Sequence, residues 1–272
     1  MNPTNTLSTE ERYKFERDGF HVLKSLFTEK EAEDWRQLVR EALNFDVKLL
    51  KKASAGTWTL ADGVTKHPAF WNIIFNTKLL ATIRQLVGDD IRYTQHSDLH
   101  INLPGGRWHR DNAYRSFSQG PDWEENKIPY RVVRVAVYLS DYSSSGSALH
   151  LLPGSHHTEH TINRLEYVLW NKIRSYLRKY GLGNSLPHHF FSASVHTLKT
   201  RPGDCIIFDQ RLMHAGGRLL GNNSKYSVFL SFGLNNEHSK NHRKFFLRRP
   251  TYAKEIPNEL RSRLSEQKLL LE

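Results

Sequence analysis

His109-Arg110-Asp111 sets an imidazole and a carboxylate two residues apart, and His214 supplies a second imidazole much later in the chain. Residues i and i+2 of an extended strand leave the same face, so one strand would present both donors together. A second strand bringing His214 alongside would complete a three-point cap on one side of a cation. Two neutral imidazoles and a carboxylate suit Fe(II), with the remaining coordination positions left open. The set contains no thiolate of the kind that structural zinc sites favour. Because the chain carries 15 histidines, a His-x-Asp pair arises easily by chance, and the elements around it decide what it means.

Those elements change character along the chain. Ser8-Thr9-Glu10-Glu11 reads as a helix start, with a hydroxyl cap and carboxylates in the first turn, and Gly19 stops that helix after Asp18. Phe20–Leu23 reads as a short strand. Thr28 to about Ala42 forms a second helix, with Trp35, Leu38, Val39 and Leu43 at helical spacing. One or two more helices occupy Phe70–Leu86 before Gly88. From Ile91 onward the pattern is β-rich: 91–95, 99–102, 132–138, 205–208 and 225–232, punctuated by Pro-Gly and Gly-Gly turns. Many short strands between turn signals predict a sandwich or barrel. The fold class is therefore mainly β with flanking α-helices, a helical N-terminal part over about 8–88 buttressing a β core over about 91–235. No internal repeat and no domain boundary is visible, so residues 1–272 read as a single domain. Residues 158–194 interrupt the strands with a basic-faced helix around Trp170–Tyr180. A segment of this length between core strands is a lid or a decoration, and residues 236–272 form an extension beyond the core.

Five motifs now stand in order: Phe15 to Phe20 ahead of a helix, His109-Arg110-Asp111, Leu149 to Pro153-Gly154-Ser155-His156, Pro202-Gly203-Asp204, and His214 with its glycines. Together, over roughly residues 8–235, they resemble the phytanoyl-CoA dioxygenase family of Fe(II)/2-oxoglutarate-dependent oxygenases. The resemblance implies a double-stranded β-helix (jelly-roll, cupin-like) core. It also implies His109, Asp111 and His214 as the catalytic iron ligands, 2-oxoglutarate as a chelating co-substrate, and O2. Relatives that halogenate lack the carboxylate, so Asp111 favours hydroxylation or another oxidation, such as desaturation or ring formation.

One position departs from the family pattern. Where the family usually carries an arginine for the distal carboxylate of 2-oxoglutarate, this chain has Lys225. Arginine binds a carboxylate as a fork, whereas lysine is a point charge. Lys225-Tyr226-Ser227 nevertheless keeps a cation and a hydroxyl two residues apart, on one strand face. Arg218 is the fallback cation. Gln95, Asn102 and Arg134 are further candidates to touch 2-oxoglutarate; strand phase alone leaves open which face each takes. Trp108, Tyr114, Arg115 and His100 are candidates for substrate contact, as is Arg107. His156, His157, His188 and His189 are expected on the surface or in the interrupting segment.

Composition narrows the partner class. Net charge is +11 and the isoelectric point near 9.7, yet no zinc-finger spacing, RNP-like motif or basic tail accompanies it, so nucleic acid is not expected. The expected partner is a small anionic substrate: a CoA thioester, a phosphate or phosphonate, an acidic sugar or a lipid-linked glycan. No apolar run reaches the roughly 20 residues of a membrane span. Met1–Asn5 lacks signal-peptide character, and the lone Cys205 fits a reducing compartment, so a cytoplasmic location is expected. Two other readings stay open: a cupin-type metal oxygenase that does not use 2-oxoglutarate, motivated by Lys225, and a non-catalytic anion-binding module on the same fold.

Overall fold

The computed structural model describes residues 6–44, 57–103, 105, 108–123, 129–159, 164–180, 194–220 and 223–272. Arg107, His188 and His189 lie outside the described residues, as do parts of the 158–194 segment.

Local sequence chemistry sets the N-terminal helices. In α1 (Thr9–Asp18) Ser8 and Glu11 cap each other's backbone, and Gly19 ends the helix at φ 84°, the left-handed region that favours glycine. The same reciprocal box, Thr28 with Glu31, starts α2 (Glu29–Ala42). Between them β1 (Phe20–Leu23) joins a sheet. Then follow β2 (Trp58–Ala61), α3 (Gly63–Lys66), a 3-10 turn at Pro68–Phe70, α4 (Trp71–Ile74) and α5 (Thr77–Val87). The predicted strands appear as β3 (Ile91–Tyr93), β4 (Asp98–Ile101) and β5 (Val132–Tyr138). After α6 (Tyr142–Ser145) come β6 (Ala148–Leu151), α7 (Arg164–Arg178), β7 (His196–Lys199), β8 (Cys205–Asp209), β9 (His214–Gly216) and β10 (Tyr226–Leu234). The chain ends in α8 (Glu237–Leu247) and α9 (Asn258–Glu266).

Two antiparallel sheets face each other. The major sheet runs β1-β8-β5-β10-β4-β2, with β3 also on β10; the minor sheet runs β7-β6-β9. Strand period divides the side chains cleanly. Val133, Val135, Val137, Cys205, Ile207, Val228, Leu230 and Phe232 enter the core beneath the helices, together with Leu79, Ile83 and Leu86 of α5. Their neighbours Ala136, Tyr138, Ile206, Phe208 and Phe229 turn the other way and meet Leu149 and Leu151 of the minor sheet. The central strands β5, β8 and β10 are therefore buried on both faces, and the sheet's inner face looks into the space between the sheets.

The C-terminal region is built into the molecule rather than lying beyond its core. Leu260, Leu264 and Leu269 are fully buried in the helical core, and Leu270 bridges Tyr93. The basic helix of the interrupting segment starts earlier than its apolar pattern predicts, and Trp170 on it packs with Trp108, Leu152 and Ala215. His156 is buried, its Nε2 bonded to the Glu16 carbonyl at 3.0 Å, whereas His157 makes a similar bond from an exposed position. Both rings tie the 150s loop to α1; His157 lies at the surface as expected, whereas His156 does not.

Candidate metal centre

His109 and Asp111 enter the space between the sheets beside β9. His109 and His214 exchange both backbone hydrogen bonds at 2.9 Å, and Asp111 N–H donates to the Gln210 carbonyl at 2.8 Å. This short ladder sets three donors on one face. His109 Nε2 lies 3.5 Å from one Asp111 oxygen and His214 Nε2 lies 3.6 Å from the other. The three ligand atoms fall within 4.8 Å of one another. His214 Nδ1 lies 2.9 Å from the Leu212 carbonyl; donating there protonates Nδ1 and leaves Nε2 as a lone pair facing the cluster. Burial, then His109, lowers His214 to about 4, which keeps it neutral and ready to ligate. Burial opposes ionisation of Asp111, but His214, Arg134 and His109 outweigh it and hold the carboxyl well below its ordinary range. Two imidazoles, one of them held neutral, and one ionised carboxylate fit a divalent iron ion. Cys205, the lone thiol, lies buried in the helical core on the other side of the sheet.

The donors open into a cavity of about 390 Å³. Lys225, Ser227, His100, Arg134 and Arg115 line it. Lys225 is 4 % exposed, and burial lowers its ammonium to about 8; it donates to the Gly217 carbonyl. Ser227 stands opposite His100 in the β4–β10 register. His100 Nδ1 pairs with Thr59 Oγ1 at 3.0 Å, and burial lowers it to about 3, so it is a neutral ring.

Arg134 has a more particular place. It donates to Asp98, to the His96 carbonyl at 2.5 Å and to Ser231 Oγ at 3.1 Å, and its Nε is 3.6 Å from Asp111 Oδ2. The guanidinium thus buttresses the carboxylate ligand. Asn102 does not line the cavity; its side chain accepts from the Lys225 N–H at 2.9 Å, and its own N–H donates to the Lys225 carbonyl at 2.8 Å. It seats the lysine's backbone. Gln95 sits apart from the cavity, donating to Asp62 and to the Ala253 carbonyl, because its φ of 59° breaks the strand phase. Trp108 points to the opposite side from His109, into the small cluster with Leu152, and Tyr114 is 58 % exposed. Neither lines the cavity, nor does Arg218.

Among the lining residues that the sequence reading did not single out are Asp98, His96 and Arg249. Asp98 and His96 share the phase of His100, so extending the alternation by two steps would have found them. Arg249, reaching the cavity from the turn after α8, stacks over Phe246 at 4.2 Å, and no spacing announces it.

A model of the phytanoyl-CoA dioxygenase family matches residues 15–226. An ectoine dioxygenase of Nocardia farcinica is 23 % identical over 252 residues, covering 85 % of this chain and 80 % of that protein. Among solved structures, HygX of Streptomyces hygroscopicus with nickel and 2-oxoglutarate superposes with a TM-score of 0.59 at 21 % identity, covering 84 % of this chain and 87 % of the other. EctD of S. alaskensis with bound iron gives 0.57 at 18 % identity, covering 86 % and 79 %. The shared architecture is the double-stranded β-helix.

Proposed function

Since the chain belongs to the phytanoyl-CoA dioxygenase family of Fe(II)- and 2-oxoglutarate-dependent oxygenases, we propose that it hydroxylates an unactivated C–H of a small anionic molecule, working as one domain in the cytoplasm. The observation that carries the reading is the convergence of His109, Asp111 and His214 at one cavity that also holds the buried Lys225.

Each residue has a separate task in this proposal. His109, Asp111 and His214 hold iron. Bound there with 2-oxoglutarate and O2, iron supplies the oxidising power for the C–H bond, with succinate and CO2 as co-products. Lys225 offers an ammonium to the distal carboxylate of 2-oxoglutarate, in a place where burial strengthens a charge pair, and Ser227 adds a hydroxyl on the same face. Arg134 keeps the Asp111 carboxylate oriented. Arg115 and Arg249 give the cavity two cations for the acidic group of a substrate; Arg134 is already engaged by Asp98. A CoA thioester, a phosphate or phosphonate, an acidic sugar and a lipid-linked glycan all offer such a group. The ectoine named for the relatives carries a carboxylate as well, so ectoine belongs in the first substrate screen.

The test is an anaerobic titration of Fe(II)-loaded protein with 2-oxoglutarate, followed by the visible metal-to-ligand charge-transfer band. The band should appear, and succinate should then form in air. Iron-loaded protein with no band and no succinate would overturn the reading in favour of an oxygenase that does not use 2-oxoglutarate. A protein that takes up no iron would point to an anion-binding module.

A further inference from the structure

Behind the cavity wall runs a buried chain of side chains that metal binding does not use. Asp122, fully buried, accepts the Ala113 N–H on both oxygens at 3.1 and 2.9 Å. Its Oδ2 also lies 2.8 Å from His242 Nδ1. His242, on α8 and fully buried, meets His96 across a 3.0 Å contact from Nε2 to Nδ1. His96 stacks on Phe246 with ring centroids 3.7 Å apart and reaches the cavity. Its Nε2 stands 3.8 Å from Asp98 Oδ2, beyond hydrogen-bond distance.

The proton positions follow from the end of the chain inward. Both Asp122 oxygens already accept the Ala113 N–H, so at Oδ2 it is His242 that donates, from Nδ1, and the ring turns a lone pair on Nε2 toward His96. His96 must then donate from Nδ1, which leaves its own Nε2 unprotonated on the cavity side. Burial opposes a positive charge on the His96 ring, as do Arg134, His242, Arg249 and Arg115, while Asp98 is engaged by Arg134. Tyr252, with its ring 6.3 Å away, closes the remaining side. The logic is that of a carboxylate fixing a histidine tautomer, extended by one more ring.

We propose that His96 is a substrate-binding residue presenting Nε2 as a hydrogen-bond acceptor, its tautomer set through His242 by Asp122. This deepens the function proposed above: the substrate carries a hydroxyl or N–H donor for this wall as well as an acidic group for Arg115 and Arg249. A substrate lacking the donor leaves a desolvated acceptor unpaired, which is worth roughly tenfold in KM.

Long-range 1H–15N correlation of the histidine rings in the full-length, metal-free protein tests the tautomer independently of iron. His96 should show a protonated Nδ1 and an unprotonated Nε2. In Asp122→Asn the amide N–H₂ should face His242 Nδ1, and both rings should invert, moving the His96 proton to Nε2. His242→Gln, a second variant should the first misfold, should break the single-tautomer pattern. A wild-type His96 protonated on Nε2, or a tautomer indifferent to both folded variants, would overturn the proposal. On the iron-loaded enzyme, succinate release is compared for matched alcohols and their O-methyl ethers, which lack the donor. The donor-bearing member should be favoured by roughly tenfold, and an equal or better methylated member would overturn substrate contact. If no pair stimulates release, the tautomer alone decides. The charge-transfer band, measured on the same preparations, separates failure of this proposal from failure of the iron and 2-oxoglutarate reading.

Discussion

His109 and His214, far apart in sequence, form a two-way backbone pair, each N–H donating to the other's carbonyl at 2.9 Å. A hydrogen-bonded antiparallel pair places two side chains directly opposite each other, and the rings accordingly lie with centroids 4.3 Å apart. The metal donors are thus part of sheet pairing itself. Asp111, one ladder step on, joins them through the period of two.

Arg134 ties this cluster to the major sheet by spanning Asp98 and Asp111. Asp111→Ala removes a ligand and should lower Fe(II) affinity by at least about 100-fold. Arg134→Lys keeps the charge but loses the fork that touches both carboxylates, and should weaken iron binding by about 10- to 100-fold. Anaerobic Fe(II) titration of both variants checks this. Native iron affinity in Asp111→Ala would sink the ligand assignment, and native affinity in Arg134→Lys would sink the buttress.

The donor set was legible because its chemistry is written in residue types and in the i, i+2 spacing. The N-terminal helices were legible because Ser8 with Glu11 and Thr28 with Glu31 cap locally. What escaped depends on tertiary register. β2, β6, β7 and β9 are only three or four residues long and pair with distant partners. Gln95 was misplaced because a positive φ at that residue interrupts the strand that its apolar neighbours suggest. Arg249 lies in a turn, where nothing in the spacing tells which way a side chain points. Face assignments for Arg134 and Ser227 needed the β5–β10 pairing, in which Arg134 meets Ser231 and Tyr138 meets Ser227.

The C-terminal helices close the helical core, so their packing should govern stability. Leu264 is fully buried, and its carbonyl accepts the Leu269 N–H at 2.7 Å. Leu264→Ala should therefore destabilise the fold by about 2–5 kcal/mol. Urea unfolding would register this as a lower midpoint with an unchanged slope. A loss below about 1 kcal/mol, the scale of a surface substitution, would make this segment peripheral.

Gly203 shows how tightly a turn is joined to that core. Its φ is 87°, and a Cβ there would lie 2.0 Å from the Phe27 carbonyl oxygen. The backbone approach leaves no room for a side chain in either respect. Gly203→Ala should lower the melting temperature by several degrees, on the order of 1 kcal/mol or more. A melting temperature equal to that of the native protein would contradict the close approach between this turn and the start of α2.

Lys225 gives the site its own pH signature. Burial lowers the ammonium to about 8, whereas an unfolded lysine titrates near 10.4. Between those values the unfolded chain holds more protons than the folded one, so this group makes folding more favourable as pH rises through that window. Binding of 2-oxoglutarate runs the opposite way, because it needs the charged form. Its Kd should be level below pH 8 and rise toward tenfold per pH unit above it. Lys225→Met should weaken 2-oxoglutarate by about 30- to 100-fold, the scale of a lost charged hydrogen bond, and should abolish the alkaline limb. Charge-transfer titrations across pH 7 to 9.5, with both proteins iron-loaded, check the two statements together. An alkaline limb that survives in Lys225→Met would assign the titration to another group and the distal carboxylate to another cation.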